Sequence, residues 1–197
     1  MGKKVLIVGG VAGGASVAAR VRRLDESAEI IMFEKGPHVS FSNCSLPYHL
    51  SGIVEDSEKL VLMSPDIFKS RYNIEARVQQ EVIQINRDKK TITVKDLISD
   101  KTYEEGYDKL VLSPGASPIR PNLEGIDNSN VLTVRNVVDI ENINSYIKQK
   151  GMKDIAVIGG GFIGVEVAEN LKLADYNVTL VEFANQVMAP FDYDMAQ

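Results

Sequence analysis

The chain has 197 residues, 44% hydrophobic and 25% charged, proportions that support one sizeable packed domain or two small ones. Lysine and arginine total 22 against 27 acidic residues, a net charge of −5, so the basic footprint that nucleic-acid binding leaves is missing and no nucleic-acid partner is expected. A single cysteine excludes an internal disulfide framework and points to a reducing, cytoplasmic compartment. The opening MGKKVLIVGGVAGGASVAAR imitates a secretory signal. Glycines interrupt its apolar run, however, and Arg20, Arg22 and Arg23 follow at once, so it reads as folded protein. No apolar run approaches the roughly 20 residues needed to cross a bilayer, and no membrane partner is expected.

In chain order, KKVLIVGG is a short apolar run ending in glycines, the pattern of a buried parallel strand. ASVAARVRRLDE follows helical spacing, and AEIIMFEK is a second apolar run, which completes a strand–helix–strand unit of about 30 residues. SFSNCSLPYHL, residues 40–50, carries the cysteine. From Glu75 onward, EARVQQEVIQINRDKKTITVKDLISDKTYEEG alternates apolar and polar residues and predicts a three-stranded β excursion. YDKLVLSPGASP predicts a further buried strand running into a Gly/Pro turn. SPIRPNLEGID is the candidate domain boundary. Residues 136–150 predict an amphipathic helix, and KDIAVIGGGFIGVEVAENLKLADYNVTLVEF then repeats the strand, glycine turn, helix and strand.

The second turn contains Gly159, Gly161 and Gly164 in the pattern G-x-G-x-x-G. The first glycine permits a tight turn, the second lets a pyrophosphate approach the backbone, and the third lets the helix pack against the sheet. The helix N-terminus supplies free N–H groups to the phosphates. Glu182 ends the next strand, where a carboxylate can accept ribose hydroxyls. The FANQ that follows offers no cation for a 2′-phosphate, which favours NADH over NADPH. In the first turn Gly9 and Gly14 hold the outer positions, but Val11 stands at the middle one, so its side chain must point away from any pyrophosphate. Glu34 ends the following strand.

Two such units, the SPGASP turn and SFSNCSLPY at residues 40–48 resemble the FAD-dependent pyridine nucleotide-disulfide oxidoreductases. Within them the chain is most similar to the single-cysteine branch of coenzyme A-disulfide reductases and related NADH oxidases. The first turn of that branch typically reads G-x-V-A-G-G, which accounts for Val11. The resemblance implies an α/β fold of two Rossmann-like dinucleotide-binding units, three-layered around parallel sheet, with a small β meander inserted. Residues 1–118 would form an incomplete FAD-binding domain and residues 119–197 the N-terminal part of an NAD(P)H-binding domain. FAD would meet Gly9, Ala12, Gly13, Gly14, Glu34, Lys35, Val82, Ser113, Pro114 and Gly115. The nicotinamide coenzyme would meet Gly159, Gly161, Ile163, Gly164, Glu166 and Glu182. Family members continue with a Gly-Asp segment that returns to the FAD domain, then a dimerisation domain. The resemblance therefore reads the chain as the N-terminal part of a longer, homodimeric enzyme.

A lone cysteine is often a small buried hydrophobe. Here Ser40, Ser42, Asn43, Ser45 and Pro47 surround Cys44, which favours a turn entering a helix, where positive partial charge would promote the thiolate. Dithiol relatives would place a second cysteine at position 49, where this chain has His49. Cys44 would therefore form a mixed disulfide with a small thiol, a sulfenic acid or a persulfide. The resemblance implies electron flow from NAD(P)H through FAD to Cys44 and a mixed disulfide with coenzyme A. Ser40 and Asn43 would position the sulfur end of the substrate, with Ser16, Arg20, Arg23 and Arg71 as further substrate contacts. The alternatives are an NADH oxidase, a persulfide or polysulfide reductase, and a catalytically inactive FAD-binding fragment. Peroxidase-type relatives carry a histidine where this chain has Ala12, which counts against peroxide chemistry. His38 and His49 lack the neighbours of a metal site and read as structural, so no metal is expected. Asp192 and Asp194 read as surface or helix-start residues.

Overall fold

The glycine-flanked apolar runs place their strands in two separate units. One takes in the chain up to Phe41 together with Val61–Ser117, and the other comprises Ser42–Leu60 and Pro118–Gln197. The computed structural model describes residues 2–197.

In the first unit, β1 (Lys4–Val8) leads through α1 (Ala12–Leu24) to β2 (Glu29–Phe33). β1 and β2 pair in parallel from Lys4↔Glu29 to Val8↔Phe33. β3 (Glu75–Arg77) joins the far side of β2, and β7 (Lys109–Leu112) joins the free side of β1, all in parallel. Side chains alternate across this sheet. Val5, Ile7, Ile30 and Met32 pack with Ala15 and Ala18 of α1 and with Phe68 of α3 (Pro65–Tyr72). Leu6, Ile31 and Phe33 point the other way, onto Ile92 and Val94. Those two belong to an antiparallel meander of β4 (Gln80–Asn86), β5 (Thr91–Asp96) and β6 (Thr102–Gly106). Helices, parallel sheet and meander make three layers.

The sequence pattern joined residues 75–77 to the β excursion. The structure instead gives β3 to the parallel sheet, because its backbone completes the open edge of β2. An ionic knot ties sheet to meander. Lys4 Nζ and Arg77 Nη1 each approach the Glu105 carboxylate at 2.7 Å, and the Arg77 guanidinium lies 5.4 Å from the centre of the Phe33 ring. Partial burial alone would raise the Glu105 pKa. The hydrogen bonds from Lys4 and Arg77 outweigh it and hold the carboxyl below its ordinary value.

In the second unit, β8 (Asp154–Ile158), α5 (Phe162–Leu173) and β9 (Asn177–Val181) repeat the parallel strand–helix–strand arrangement, from Asp154↔Asn177 to Ile158↔Val181. α4 (Val137–Lys150) precedes it, one residue inside the expected 136–150. Its start is fixed by a capping box: Asn136 Oδ1 accepts the Asp139 N–H at 2.9 Å, and Asp139 Oδ2 accepts the Asn136 N–H at 3.1 Å. Gly151 ends it in the left-handed conformation, φ 61°. The unit also contains α2 (Leu46–Leu50) and α6 (Tyr193–Ala196), for which Asp192 is the N-cap. The fold is α/β, with two Rossmann-like units and an inserted β meander. Among the described residues no helix is long and apolar enough to cross a membrane.

Candidate functional site

The first glycine turn is built so that side chains cannot enter it. Gly9 adopts φ 95°, and a Cβ there would collide with the Ser113 carbonyl. A Cβ on Gly14 would collide with the Gly9 carbonyl, which is how α1 packs so close to β1. Gly13 faces Ser113, whose Oγ would lie 3.2 Å from an added Cβ. Ser113 is held beside the turn because its N–H donates to the Val8 carbonyl at 2.8 Å. Pro114 and Gly115 follow on the exposed side of that turn. Val11 is the half-buried N-cap of α1, and neither a capping side chain nor an acidic residue occupies the helix's first turn. Its N–H groups remain available to an anion.

Glu34 closes the turn from below. Its Oε2 accepts the Gly10 N–H and its Oε1 the Gly36 N–H, both at 2.8 Å. Ser40, at φ 50°, donates its N–H to the Gly10 carbonyl at 2.9 Å and so lies against the same turn. Lys35 instead pairs with Glu81 at 2.8 Å, and Val82 lies opposite Val94 in the meander, against the sheet. Ala12 is exposed at the start of α1. The small residues, open helix N-terminus and strand-end carboxylate fit the ADP half of FAD.

The second turn repeats the device. Gly159 has φ 105° and donates to the Val181 carbonyl at 2.8 Å, and a Cβ on Gly164 would collide with the Gly159 carbonyl. Around Gly161 an added Cβ would meet nothing within 4 Å, so the backbone there is open to a ligand. Glu182 Oε1 accepts the Ala184 N–H at 2.7 Å and Oε2 the Gly160 N–H at 2.5 Å, and these bonds lower its pKa. Ile163 is exposed in the first turn of α5. Glu166, one turn on, keeps a buried Oε2 without a hydrogen-bond partner among the described residues. The pairing of Glu34 with Gly10 and of Glu182 with Gly160 was missed from sequence. The doubled glycines Gly9-Gly10 and Gly159-Gly160 were its signal: a Cβ at either second position would press on its strand-end glutamate.

Cys44 is exposed, in a 3-10 turn, Asn43–Ser45, that leads directly into α2. The turn is braced by the Ser42 and Ser45 hydroxyls, 2.7 Å apart, and by the Ser42 N–H donating to the Leu60 carbonyl at 2.8 Å. Polar contacts fasten the segment to both long helices of its unit. Asn144 Nδ2 of α4 donates to the His49 carbonyl at 3.2 Å. The Ser57 hydroxyl donates to Glu141 of α4 at 2.5 Å. The Ser51 hydroxyl donates to Oδ1 of Asn170 at 2.7 Å, and Asn170 is a fully buried residue of α5. His49 Nδ1 bonds the Val54 carbonyl at 2.7 Å, and His38 is half-buried in the other unit. Arg135, just ahead of the α4 cap, reaches Asn43 Oδ1 with Nη1 at 3.1 Å. Sequence reading did not find this residue, since it lies 92 positions from its partner.

Ser16, Arg20 and Arg23 are exposed along one side of α1. Arg71 is exposed on α3. The ends of these helices are joined by Arg22, whose guanidinium donates to the Tyr72 and Asn73 carbonyls at 2.8 and 2.9 Å. Asn43 and Cys44 belong to the other unit.

The chain matches the pyridine nucleotide-disulphide oxidoreductase family over residues 3–197. It is 40% identical over 195 residues to the coenzyme A disulfide reductase of Staphylococcus haemolyticus, covering 99% of this chain and 44% of that one. The chain thus spans less than half the length of that relative. Reduced CoADR-RHD of Bacillus anthracis superimposes with a TM-score of 0.96 at 51% identity, over 100% of this chain and 35% of that one. An NAD-dependent persulfide reductase from A. fulgidus gives 0.92 at 34% identity, over 98% of this chain and 36% of that one. With a match from residue 3 to the last residue and both glycine turns in place, this chain belongs to the pyridine nucleotide-disulphide oxidoreductase family.

Proposed function

We propose that this chain carries the coenzyme turns and reactive thiol of a flavoprotein that reduces coenzyme A disulfide with NADH. The observation that carries the reading is Cys44, the sole cysteine, exposed on a turn whose neighbours are small and polar. The likeness to coenzyme A disulfide reductases at 40% identity and above supports the choice of disulfide.

Cys44 thiolate attacks one sulfur of the disulfide, forms Cys44–S–S–CoA and expels one CoA thiolate, which takes up the proton Cys44 gave away. Two electrons and two protons then split the mixed disulfide, releasing the second CoA thiol and restoring the Cys44 thiol. FAD, when bound, supplies the two-electron transfer from NADH. Gly9, Ala12, Gly13, Gly14, Glu34, Lys35, Val82, Ser113, Pro114 and Gly115 would hold it. NADH would be held by Gly159, Gly161, Ile163, Gly164, Glu166 and Glu182, with the Glu182 carboxylate disfavouring a 2′-phosphate. Ser40 and Asn43 would orient the substrate sulfur, while Ser16, Arg20, Arg23 and Arg71 would meet other polar groups of coenzyme A. Residues 1–118 would belong to the FAD-binding domain and 119–197 to the NADH-binding domain of a cytoplasmic homodimer.

Intact mass of protein purified without reductant tests this. A reducible adduct of coenzyme A mass, absent in Cys44→Ser, is the expected result. An added sulfur would favour persulfide reduction, which the A. fulgidus likeness makes the second reading, and an added oxygen would favour an NADH oxidase. Failure to retain FAD under any condition would sink the reading altogether.

A further inference from the structure

The residue before the reactive cysteine is not free to choose its orientation. Arg135 Nη1 lies 3.1 Å from Asn43 Oδ1. A guanidinium has donors and no acceptors, so it can face only the carbonyl end of the Asn43 carboxamide. The amide Nδ2 must then turn away from Arg135, and it meets no acceptor among the described residues. Arg135 is itself fixed at its backbone. Its N–H donates at 2.9 Å to Asp139 Oδ2, the same oxygen that accepts the Asn136 N–H in the cap of α4. The Ser42 and Ser45 hydroxyls bond each other, one donating and one accepting, so Asn43 Nδ2 and the proton kept by the accepting serine are the side-chain donors flanking Cys44.

We infer that Arg135 is a positioning residue for thiol–disulfide exchange at Cys44. It orders the Asn43 carboxamide so that its N–H groups donate to a carbonyl acceptor on the substrate. The favoured substrates are disulfides of thiols that carry an amide near the sulfur. This rests on the reading of Cys44 as the exchanging thiol and adds a residue and a chemical requirement to it. The step is balanced without flavin: Cys44 thiolate and R–S–S–R give Cys44–S–S–R and R–S⁻, with the proton passing from one thiol to the other.

The test compares pantethine, an amide-bearing disulfide without phosphates, with cystamine, which has no amide. Each is added to the reduced holoprotein without NADH, and the adduct on Cys44 is followed by intact mass, with Cys44→Ser as the blank. Arg135→Met and Asn43→Ala are each expected to slow exchange with pantethine about tenfold and with cystamine less than about twofold, the loss of one well-placed hydrogen bond. The double variant is expected to be no slower than Asn43→Ala alone. Arg135→Lys, which keeps a donor facing Oδ1, restores most of the rate. The proposal fails if Asn43→Ala leaves pantethine unaffected, if the two substitutions multiply, or if Arg135→Met slows both disulfides alike. If the unsubstituted protein forms no adduct with either disulfide, the assignment of Cys44 falls, and Arg135 with it.

Discussion

Glu182 accepts the N–H of Gly160 at 2.5 Å, so the acid at the end of β9 is bonded to the glycine turn that ends β8. Glu34 and Gly10 form the same pair in the other unit at 2.8 Å. A carboxylate expected to face a ribose thus also sets the shape of the turn that faces the phosphates.

Protonating Glu182 should therefore loosen the turn. Its carboxyl is held below the ordinary 4.5 by the Ala184 and Gly160 N–H groups, so its stabilisation is complete above 4.5 and is lost as pH falls through the lower folded value. Amide chemical shifts of Gly160 and Ala184 should titrate together below pH 4.5. In Glu182→Gln both should stay flat over the same range, and NADH affinity should fall about tenfold. Independent midpoints for the two amides would contradict a shared carboxylate.

Two glycines of one motif should behave oppositely. Gly164→Ala drives a Cβ into the Gly159 carbonyl and is expected to cost about 1–3 kcal/mol in urea unfolding. Gly161→Ala meets open space at φ −77° and should change stability by less than about 1 kcal/mol. Its methyl group would stand where a pyrophosphate approaches the backbone, so NADH titration should show the larger defect in Gly161→Ala.

The Glu105 knot should shape the acid limb of stability. Its folded pKa lies below the ordinary 4.5, so its contribution is present above that value and disappears as pH falls through the folded one. Glu105→Gln is expected to cost about 1–2 kcal/mol at pH 7, limited by solvent screening, and to narrow the gap with the parent at pH 3. Urea midpoints at the two pH values check this. An equal gap at both would assign the loss to packing.

Asn170→Ala removes from a fully buried site the nearer acceptor of the Ser51 hydroxyl, leaving it only the Tyr48 carbonyl at 3.1 Å, and also deletes the Asn170 Nδ2 bond to the Glu166 carbonyl. A cost of about 1–3 kcal/mol is expected. Hydrogen exchange should show the loss as faster opening of α2 than of α4. Uniform acceleration throughout the unit would argue against a local clamp.

The strand–helix–strand units were legible because their apolar runs and glycines are local signals, and α4 because its spacing and its Asn136 cap lie within one segment. β3 was not legible. Glu75–Arg77 has no strand pattern of its own and is extended because β2 offers it a ladder. Cys44 could be placed in a turn from its neighbours. Its supports, Arg135, Asn144 and Asn170, could not be found, because each contact joins residues more than 90 positions apart and leaves no periodic trace.

The segment Ser42–Leu60 leaves the first unit beside the Phe41↔Val61 bridge and clusters with residues that begin at Pro118. Its polar anchors, Arg135, Glu141, Asn144 and Asn170, all emerge from synthesis long after it does. Among the residues of this chain the first unit draws on none after Ser117, and domains generally fold as their chain appears. Until α5 is made, then, the segment that carries the cysteine lacks its full set of polar anchors. Its long-range closures make docking a late and slow event in folding. In that interval the thiol is open to any disulfide at hand, and the orienting carboxamide beside it is not yet set.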